Sequence, residues 1–342
     1  MLYKFFRFFL FRCDPELAHD ILLFLLSLAP IRWILWLFYH QDDPRLEKYF
    51  WGLRFKNPIG LAAGFDKNAK ALLGFQALGF GFIEVGTVTP RPQAGNPKPR
   101  ILRFEKEEAL VNWLGFNNDG IAQIVERLKV AKPKMKIPVG LNIGKNSDTP
   151  LEKATDDYVI CIERANPVVD FFVINISSPN TPELRRLAEP LFLEELLSRV
   201  QRVSRHPVWV KLSPDISQDQ LPQMIALCEK YKVSALVATN TTIDYSLLPS
   251  YQLAKGGVSG KPLKPKSTHL LKTLKSLTSS QMAWVGVGGI LSPADAQEKI
   301  DSGADLIELY TGLIFKGPSL IRKIKKTLIK FEQCRNVCYL KN

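Results

Sequence analysis

Eight short apolar segments recur along the chain, and most of them are separated by stretches long enough for an amphipathic helix. The segments lie at 59–62, 81–86, 138–142, 170–176, 207–212, 234–238, 283–287 and 305–310. Strands that are apolar on both faces and alternate with helices are typical of a parallel sheet covered on both sides. Eight such units over roughly 290 residues predict an α/β fold, a closed (β/α)8 TIM barrel. An open, doubly wound sheet is the alternative.

Polar side chains or glycines end or follow each of these segments. In chain order they are Ala63, Gly64, Asp66 and Lys67, then Thr87, Asn142, Asn175, Lys211, Thr239, Gly288 and Gly289, and finally Tyr310 and Thr311. The carboxyl ends of barrel strands meet on one face, where barrel enzymes have their active sites. The pattern therefore predicts a single site built from these strand ends.

The residue types at these ends indicate the class of ligand. The last two loops contain Gly288-Gly289 and Thr311-Gly312, and barrels commonly bind phosphate at that position. The four histidines are scattered, and no carboxylate cluster follows the strands, so neither a metal centre nor Ser–His–Asp chemistry is predicted. Amides, hydroxyls and two lysines beside a phosphate site fit a planar heterocycle, and flavin mononucleotide (FMN) matches this set.

The overall charge gives a weaker indication. The chain has 46 basic and 33 acidic residues, a net charge of +13, which favours anionic partners. The basic residues form no stripe with aromatic residues between them, so nucleic acid is not expected as a partner. Five cysteines without a C-x-x-C pair suit a reducing compartment.

Residues 1–44 differ in composition from the barrel domain expected over 45–342. They are rich in Phe, Leu, Ile and Trp, and two short helices are predicted at about 15–26 and 31–39. Charged residues interrupt the apolar run and no cleavage site follows it, which argues against a secretory signal. The longest uncharged run, Ile21 to Ile31, has 11 residues and is too short to span a bilayer. We expect reversible membrane binding; packing on the barrel or on a second subunit is the alternative.

Nine motifs, together with "DPELAH" (14–19) in the apolar extension, occur in a recognisable order. They are "NPIGLAAGFDKN" (57–68), "EVGTVTPRPQAGNPKPRILR" (84–103), "NWLGFNNDG" (112–120), "NIGKN" (142–146), "NISSPNTPELR" (175–185), "TNTT" (239–242), "GGVSGKPL" (256–263), "GVGGI" (286–290) and "YTGLIFKGP" (310–318). In this order they resemble the dihydroorotate dehydrogenase family, specifically its membrane-associated, quinone-linked class 2. Class 1 enzymes lack the extension and use a cysteine as base, whereas Ser178 stands at that position here.

The resemblance implies an FMN enzyme that oxidises (S)-dihydroorotate to orotate in pyrimidine synthesis and passes the electrons to a quinone. It implies that Ser178 is the catalytic base and that Thr181 assists a proton relay. The implied substrate contacts are Lys67, Asn112, Trp113, Leu114, Gly115, Phe116, Asn175, Asn180, Asn240 and Thr241. The implied FMN contacts are Ala63, Gly64, Phe65, Asp66, Lys67, Thr87, Asn142, Asn175, Lys211, Thr239, Ser259, Gly260, Gly288, Gly289, Tyr310 and Thr311.

The same resemblance implies a quinone tunnel between the N-terminal helices, with His19 and Arg103 near its inner end. The expected partners are dihydroorotate or orotate, a membrane quinone and a membrane surface, at the cytoplasmic face of a bacterial inner membrane. The oligomeric state stays open. Two other functions also stay open: a flavin barrel of the tRNA dihydrouridine synthase type, and a membrane-bound sensor of a phosphorylated metabolite.

Overall fold

The computed structural model describes residues 2–278 and 281–339, and its N-terminal part is helical. The helices are α1 (Leu2–Leu10), α2 (Pro15–Ser27) and α3 (Ala29–Tyr39). The two helices predicted in this region match α2 and α3, but α1 was missed. Its charged residues Lys4 and Arg7 do recur at helical spacing, but the segment has only nine residues, and so short a pattern does not predict a helix by itself. Asp14 fixes the start of α2, because its side chain accepts hydrogen bonds from the backbone N–H groups of Glu16 and Leu17.

Helices α2 and α3 meet at an angle of 86°. In the part of the chain that the structure describes, no single helix combines the length and apolarity needed to cross a membrane. The bent pair of α2 and α3 reaches that length and composition together, and it is the one such pair within 2–278 and 281–339.

The remaining elements form a barrel with additions at both ends. The strands are β1 (Lys48–Phe50), β2 (Leu53–Phe55), β3 (Ile59–Leu61), β4 (Phe82–Val88), β5 (Ile101–Phe104), β6 (Ala109–Asn112), β7 (Val139–Ile143), β8 (Phe171–Asn175), β9 (Val208–Leu212), β10 (Ala235–Ala238), β11 (Gly257–Gly260), β12 (Ala283–Val287) and β13 (Leu306–Leu309). The helices are α4 (Leu72–Ala77), α5 (Gly120–Ala131), α6 (Ala154–Ala165), α7 (Pro190–Val203), α8 (Leu221–Lys230), α9 (Lys264–Ser276), α10 (Pro293–Asp301), α11 (Thr311–Lys316) and α12 (Ser319–Tyr339).

Eight parallel strands close into the barrel in the order β3, β4, β7, β8, β9, β10, β12 and β13, with β13 pairing back to β3. Each of the eight apolar segments in the sequence corresponds to one of these strands. The prediction of a TIM barrel is therefore confirmed, and the open-sheet alternative is wrong.

Aromatic side chains fill the amino-terminal half of the barrel interior. Phe82, Phe171 and Trp209 are fully buried, and the rings of Phe171 and Trp209 stack with centroids 4.0 Å apart. Two glycines make room for these rings, each on the strand next to the one that carries the ring. A Cβ on Gly60 of β3 would lie 2.2 Å from Phe82, and one on Gly140 of β7 would lie 2.1 Å from Phe171. This packed floor confines any ligand cavity to the carboxyl-terminal half.

A small antiparallel sheet, in the order β11-β6-β5, is built from the loops after β4 and β10. Register pairs Gly257 with Asn112 and Gly260 with Ala109, which brings two distant loops together at the barrel mouth. Sequence analysis missed these strands because they are short and lie within segments expected to be loops.

Replacing Gly140 with alanine should destabilise the barrel by about 1–3 kcal/mol, because the new methyl group would overlap the Phe171 ring in a close-packed interior. Urea unfolding measures the change. Gly52→Asn is the control, since nothing lies within 4 Å of a Cβ there and asparagine tolerates its φ of +77°. Equal stability of the parent and Gly140→Ala would contradict the packing described.

Candidate active site

A cavity of about 960 Å³ opens at the carboxyl-terminal end of the barrel. Most of the residues expected at the site line it: Ala63, Gly64, Lys67, Thr87, Asn112, Leu114, Gly115, Phe116, Asn175, Ser178, Asn180, Lys211, Thr239, Asn240, Thr241, Ser259, Gly260, Gly288, Gly289, Tyr310 and Thr311. We call this space the mouth cavity. The strand ends thus form one site, as the sequence pattern predicts.

Five expected residues lie near the mouth cavity without lining it. Phe65 packs edge-on against Tyr310 and His19, with ring centroids 5.3 Å away in each case. The Asp66 carboxylate accepts the backbone N–H groups of Lys70 and Ala71, so its side chain holds a turn. Trp113 lies under the Lys255 ammonium, 5.1 Å from ring centroid to nitrogen. The other two, Asn142 and Thr181, are described below.

A buried layer of three ionisable side chains lies directly above the aromatic floor. The Lys211 ammonium is 3.0 Å from a Glu84 oxygen and 3.5 Å from a Glu308 oxygen. Sequence analysis named Lys211 but missed both carboxylates. The signal was present: in "FIEVG" and "LIELY" a glutamate interrupts an apolar strand at a position that alternation directs into the barrel.

Amide and hydroxyl groups extend this layer upward to the mouth cavity. Asn142 donates to Glu84 at 2.5 Å, and Thr87 donates to Asn142 at 2.5 Å. Asn175 donates to Thr87 at 3.0 Å, while Asn240 donates to Asn175 at 3.4 Å. Asn142 therefore supports the wall of the site through its neighbours. The chain of bonds fixes which amide edges face the cavity.

The loop carrying Ser178 is held by its own polar groups. The Ser178 oxygen accepts the backbone N–H of Asn180 at 3.2 Å, and the Asn180 amide donates to the carbonyl of Asn112 at 3.1 Å. Arg185 donates to the carbonyl of Ser177 at 3.1 Å. The Thr181 hydroxyl is buried and has no hydrogen-bond partner among the described residues. It is free to bond a neighbour that the described residues do not supply.

Glycines and hydroxyls form a cradle on the opposite side of the mouth cavity. The hydroxyls of Ser259 and Thr311 lie 2.9 Å apart. A Cβ on Gly260 would lie 2.2 Å from the carbonyl oxygen of Glu108, and one on Gly289 would lie 2.3 Å from Lys264. Only bare backbone fits at these positions, and its N–H groups suit a bound phosphate. Among the residues that the structure describes, no group of three or more His, Cys, Asp and Glu side chains could hold a metal ion.

A second cavity, of about 1860 Å³, lies between helices α1–α3 and the barrel. We call it the channel. Its lining is mostly apolar, and His19 and Arg103 both contribute to it as expected. Arg103 donates to the backbone carbonyls of Leu10 and Cys13, which ties the turn between α1 and α2 to β5. The channel and the mouth cavity share four lining residues, Gly64, Lys67, Leu114 and Tyr310, so the two spaces adjoin.

Burial lowers the pKa of His19 and of Lys67, which lie where the mouth cavity and the channel adjoin. Burial and the nearby Lys67 charge lower the pKa of His19 to about 4, so the imidazole is neutral at physiological pH. Burial, aided by the charge of Arg100, lowers the pKa of Lys67 to about 7. Its ammonium donates to the Asn117 side chain at 2.6 Å. Lys67 is therefore poised to gain a full charge when an anion arrives beside it.

Helix α1 also contacts α11, the short helix that begins at Thr311 of the glycine cradle. The Tyr3 hydroxyl donates to the carbonyl of Ile314 at 2.5 Å, and Arg7 donates to the carbonyl of Phe315 at 2.9 Å. Both acceptors lie in the last turn of α11, which begins at Thr311. The N-terminal helix thus satisfies carbonyl groups that a helix end leaves unpaired.

The fold and the site define a TIM-barrel protein with a glycine cradle, a wall of amides and an adjoining apolar channel. The family model described as dihydroorotate dehydrogenase matches residues 45–331. The chain belongs to the dihydroorotate dehydrogenase family.

Individual relatives agree with this assignment. A Gloeobacter violaceus protein named dihydroorotate dehydrogenase (quinone) is 46% identical over 332 residues, which cover 96% of this chain and 94% of the relative. A Thermus thermophilus protein of the same name is 43% identical and covers 97% of both chains. The ligand-free Eimeria tenella DHODH structure superposes with a TM-score of 0.86 at 36% identity, covering 94% of this chain and 96% of that one. The resemblance seen in the motifs is confirmed.

His19 should remain neutral between about pH 5 and pH 8, because its buried ring has no charged partner strong enough to retain a proton. Nitrogen chemical shifts of histidine-labelled protein, assigned with His19→Gln, measure its titration. In urea the same ring should titrate at about 6.5, the ordinary value. A titration near 6.5 in the folded protein would show that the ring is solvated.

Proposed function

We propose that this chain oxidises dihydroorotate to orotate with FMN in the mouth cavity and passes the electrons to a membrane quinone in the channel. One observation carries the proposal: a polar cavity and an apolar channel adjoin at Gly64, Lys67, Leu114 and Tyr310. The reaction has two halves, one with a charged substrate and one with an apolar electron acceptor. Each half needs its own binding space, and the two spaces must adjoin the same redox group. The relatives named for the quinone-dependent enzyme support this reading.

The residues of the mouth cavity fit FMN. The cradle of Ser259, Gly260, Gly289 and Thr311 offers hydroxyls and bare backbone for the phosphate. Lys211 offers the only ammonium of the buried layer to the ring edge, where positive charge stabilises added electrons. When bound, FMN would supply the acceptor for the hydride that leaves C6 of dihydroorotate.

The amide wall fits the pyrimidine of the substrate. Asn112, Asn175, Asn180 and Asn240 present amide groups to the cavity, and such groups match the alternating N–H and C=O edges of a pyrimidine ring. Lys67 would pair with the carboxylate. Because burial holds its pKa at about 7 in the free protein, binding of the anion would raise that pKa and draw a proton onto the lysine.

Ser178 would remove the proton from C5 of the substrate. Its hydroxyl lies on the cavity wall, and among the described residues it has no histidine or carboxylate as hydrogen-bond partner. It therefore needs a relay to pass the proton on. The buried, unpartnered hydroxyl of Thr181, three residues along the same loop, is suited to that task.

The channel would hold the quinone. Its apolar lining suits an isoprenoid tail, while neutral His19 and the Arg103 guanidinium supply two polar groups for the head. Large apolar side chains surround its outer side and are exposed, including Phe24 at 63%, Trp33 at 65% and Phe38 at 65%. The proposal therefore includes peripheral attachment to the cytoplasmic face of a bacterial inner membrane through α1–α3.

Ser178→Ala should retain FMN and orotate binding but lose turnover by about 10²–10⁴-fold, because only the proton acceptor is removed. Stopped-flow absorbance of the flavin after mixing with dihydroorotate measures the step. Ser178→Cys should recover part of the rate at higher pH, since a thiolate can act as base. An alanine variant that bleaches its flavin as fast as the parent would rule out Ser178 as the base.

Deleting residues 1–40 should release the protein from membranes and abolish reduction of a long-chain quinone, because the channel loses one wall. Dihydroorotate should still bleach the flavin, since the mouth cavity is formed by the barrel. Vesicle flotation, quinone assays and single-turnover flavin reduction separate the three properties.

The matched point variants are Arg103→Ala and Arg12→Ala. Arg103 lines the channel, whereas Arg12 is exposed and lies over Phe8 outside it. Arg103→Ala should weaken quinone kinetics by roughly tenfold, in keeping with loss of a charged hydrogen-bond donor, and leave flavin reduction nearly unchanged. Truncated protein that reduces a long-chain quinone at the parent rate would contradict the channel assignment.

A further inference from the structure

Glu308 is the unusual member of the buried charged layer. Its side chain is 1% exposed and borders the mouth cavity. Neither carboxyl oxygen accepts a hydrogen bond from any residue that the structure describes. The Lys211 ammonium lies 3.5 Å from one of these oxygens, which is beyond ordinary hydrogen-bond length.

Glu84 stands on the other side of the same lysine and is fully satisfied. One of its oxygens accepts from Lys211 at 3.0 Å and from the backbone N–H of Ala63 at 3.3 Å. The other oxygen accepts from Asn142 at 2.5 Å. Three donors are what a buried carboxylate needs to stay ionised. The two glutamates therefore occupy different environments although they flank one ammonium.

The charge balance of the buried layer also indicates that Glu84 and Glu308 differ in protonation state. Two ionised carboxylates and one ammonium would leave a net negative charge in a dry interior, which is strongly unfavourable. Burial raises the pKa of Glu308 well above its ordinary value, and the Glu84 carboxylate raises it further. Burial would also raise the pKa of Glu84, but the Lys211 ammonium and the donors around it bring that pKa below its ordinary value. One proton on Glu308 makes the layer neutral.

We propose that Glu308 is a positioning residue that keeps its proton at neutral pH and steadies Lys211 as an uncharged neighbour, while Glu84 alone supplies the counter-charge. A protonated Glu308 has an O–H to donate, and Glu84 is the acceptor beside it. The arrangement keeps the positive end of Lys211 directed at the floor of the mouth cavity. Its effect on a bound ring rests on the proposed function, whereas the proton on Glu308 does not.

The protonation state of Glu308 should affect how tightly FMN is bound. With Glu308 neutral, the floor of the mouth cavity is dominated by the Lys211 ammonium and attracts the electron-rich edge of the ring. Ionisation of Glu308 at alkaline pH would add a negative charge beside that ammonium. FMN should then be held less tightly as pH rises. The groups that set this titration are Glu84 on β4, Lys211 on β9 and Glu308 on β13.

Glu308→Gln and Glu84→Gln form the matched test, because each removes one carboxylate from the same lysine. Glu308→Gln replaces a neutral acid with a neutral amide and should not destabilise the fold at pH 7; it should be more stable than the parent there, because the parent takes up a proton on folding. Glu84→Gln removes the counter-ion of a buried ammonium and should raise the unfolding constant by roughly 100-fold or more. Urea unfolding at fixed pH measures both. Equal losses in the two variants at pH 7 would overturn the proposal.

The two variants should also differ in the sign of their pH dependence. The folded-state pKa of Glu308 is raised, so the stability of the parent relative to Glu308→Gln should fall as pH rises above about 4.3, by up to about tenfold in the unfolding constant per unit. The folded-state pKa of Glu84 is lowered, so the advantage of the parent over Glu84→Gln should persist at high pH and shrink below about 4.3. If Glu308→Gln follows the Glu84 pattern, Glu308 is ionised and the proposal fails.

If Glu84→Gln does not fold, two further measurements still test whether Glu308 is protonated and whether its proton affects FMN affinity. Infrared spectra of the apoprotein at pH 7 should contain a protonated carboxyl C=O band that is missing from Glu308→Gln, and its presence in both would overturn the proposal. FMN titration of the apoprotein should show an affinity that weakens at alkaline pH in the parent but not in Glu308→Gln. Equal weakening in both would overturn the link to the cofactor. A parent that binds no FMN would contradict the proposed function and leave the infrared result as the test of Glu308.

Discussion

The ion pair between Lys211 and Glu84 crosses the inside of the barrel and divides it into two halves. Below it, aromatic rings such as Phe171 and Trp209 close the interior. Above it, Asn142 and its hydrogen-bonded neighbours carry polarity up to the mouth. A buried ammonium must have a partner, and this partner is also the anchor of the amide wall. The polar wall of the site therefore depends on Glu84, which neutralises the Lys211 ammonium and also accepts the hydrogen bond from Asn142.

Much of the fold could be read from the sequence because its strongest signals are periodic. Apolar strands that are covered on both faces stand out, and the residues that end them fall at the mouth without further assumptions. Short strands within loops, such as β5 and β11, bury few side chains and give no such pattern. Helix α1 was missed although it is amphipathic, because its nine residues are too short for the pattern to stand out within an apolar extension.

The site was predicted in outline, and its omissions have a physical cause. Motifs name residues that are expected to contact ligands, so Ser178 and Lys211 were singled out, whereas Glu84 and Glu308, the carboxylates beside Lys211, were not. In the sequence alone, Glu84 and Glu308 are isolated polar residues within apolar strands. Their role becomes visible only when the fold places Lys211 of β9 beside them. Asp66 differs in kind: its side chain holds a turn at a strand end, and its expected contact with a ligand stays a prediction.

The contact between α1 and α11 links the N-terminal helix to the glycine cradle at the barrel mouth. Tyr3 and Arg7 bind the carbonyl end of a helix of six residues whose other end is Thr311, at the phosphate cradle. Any coupling between the N-terminal helices and the glycine cradle would therefore pass along the backbone of α11, because both side chains of α1 bind the end of that helix opposite Thr311.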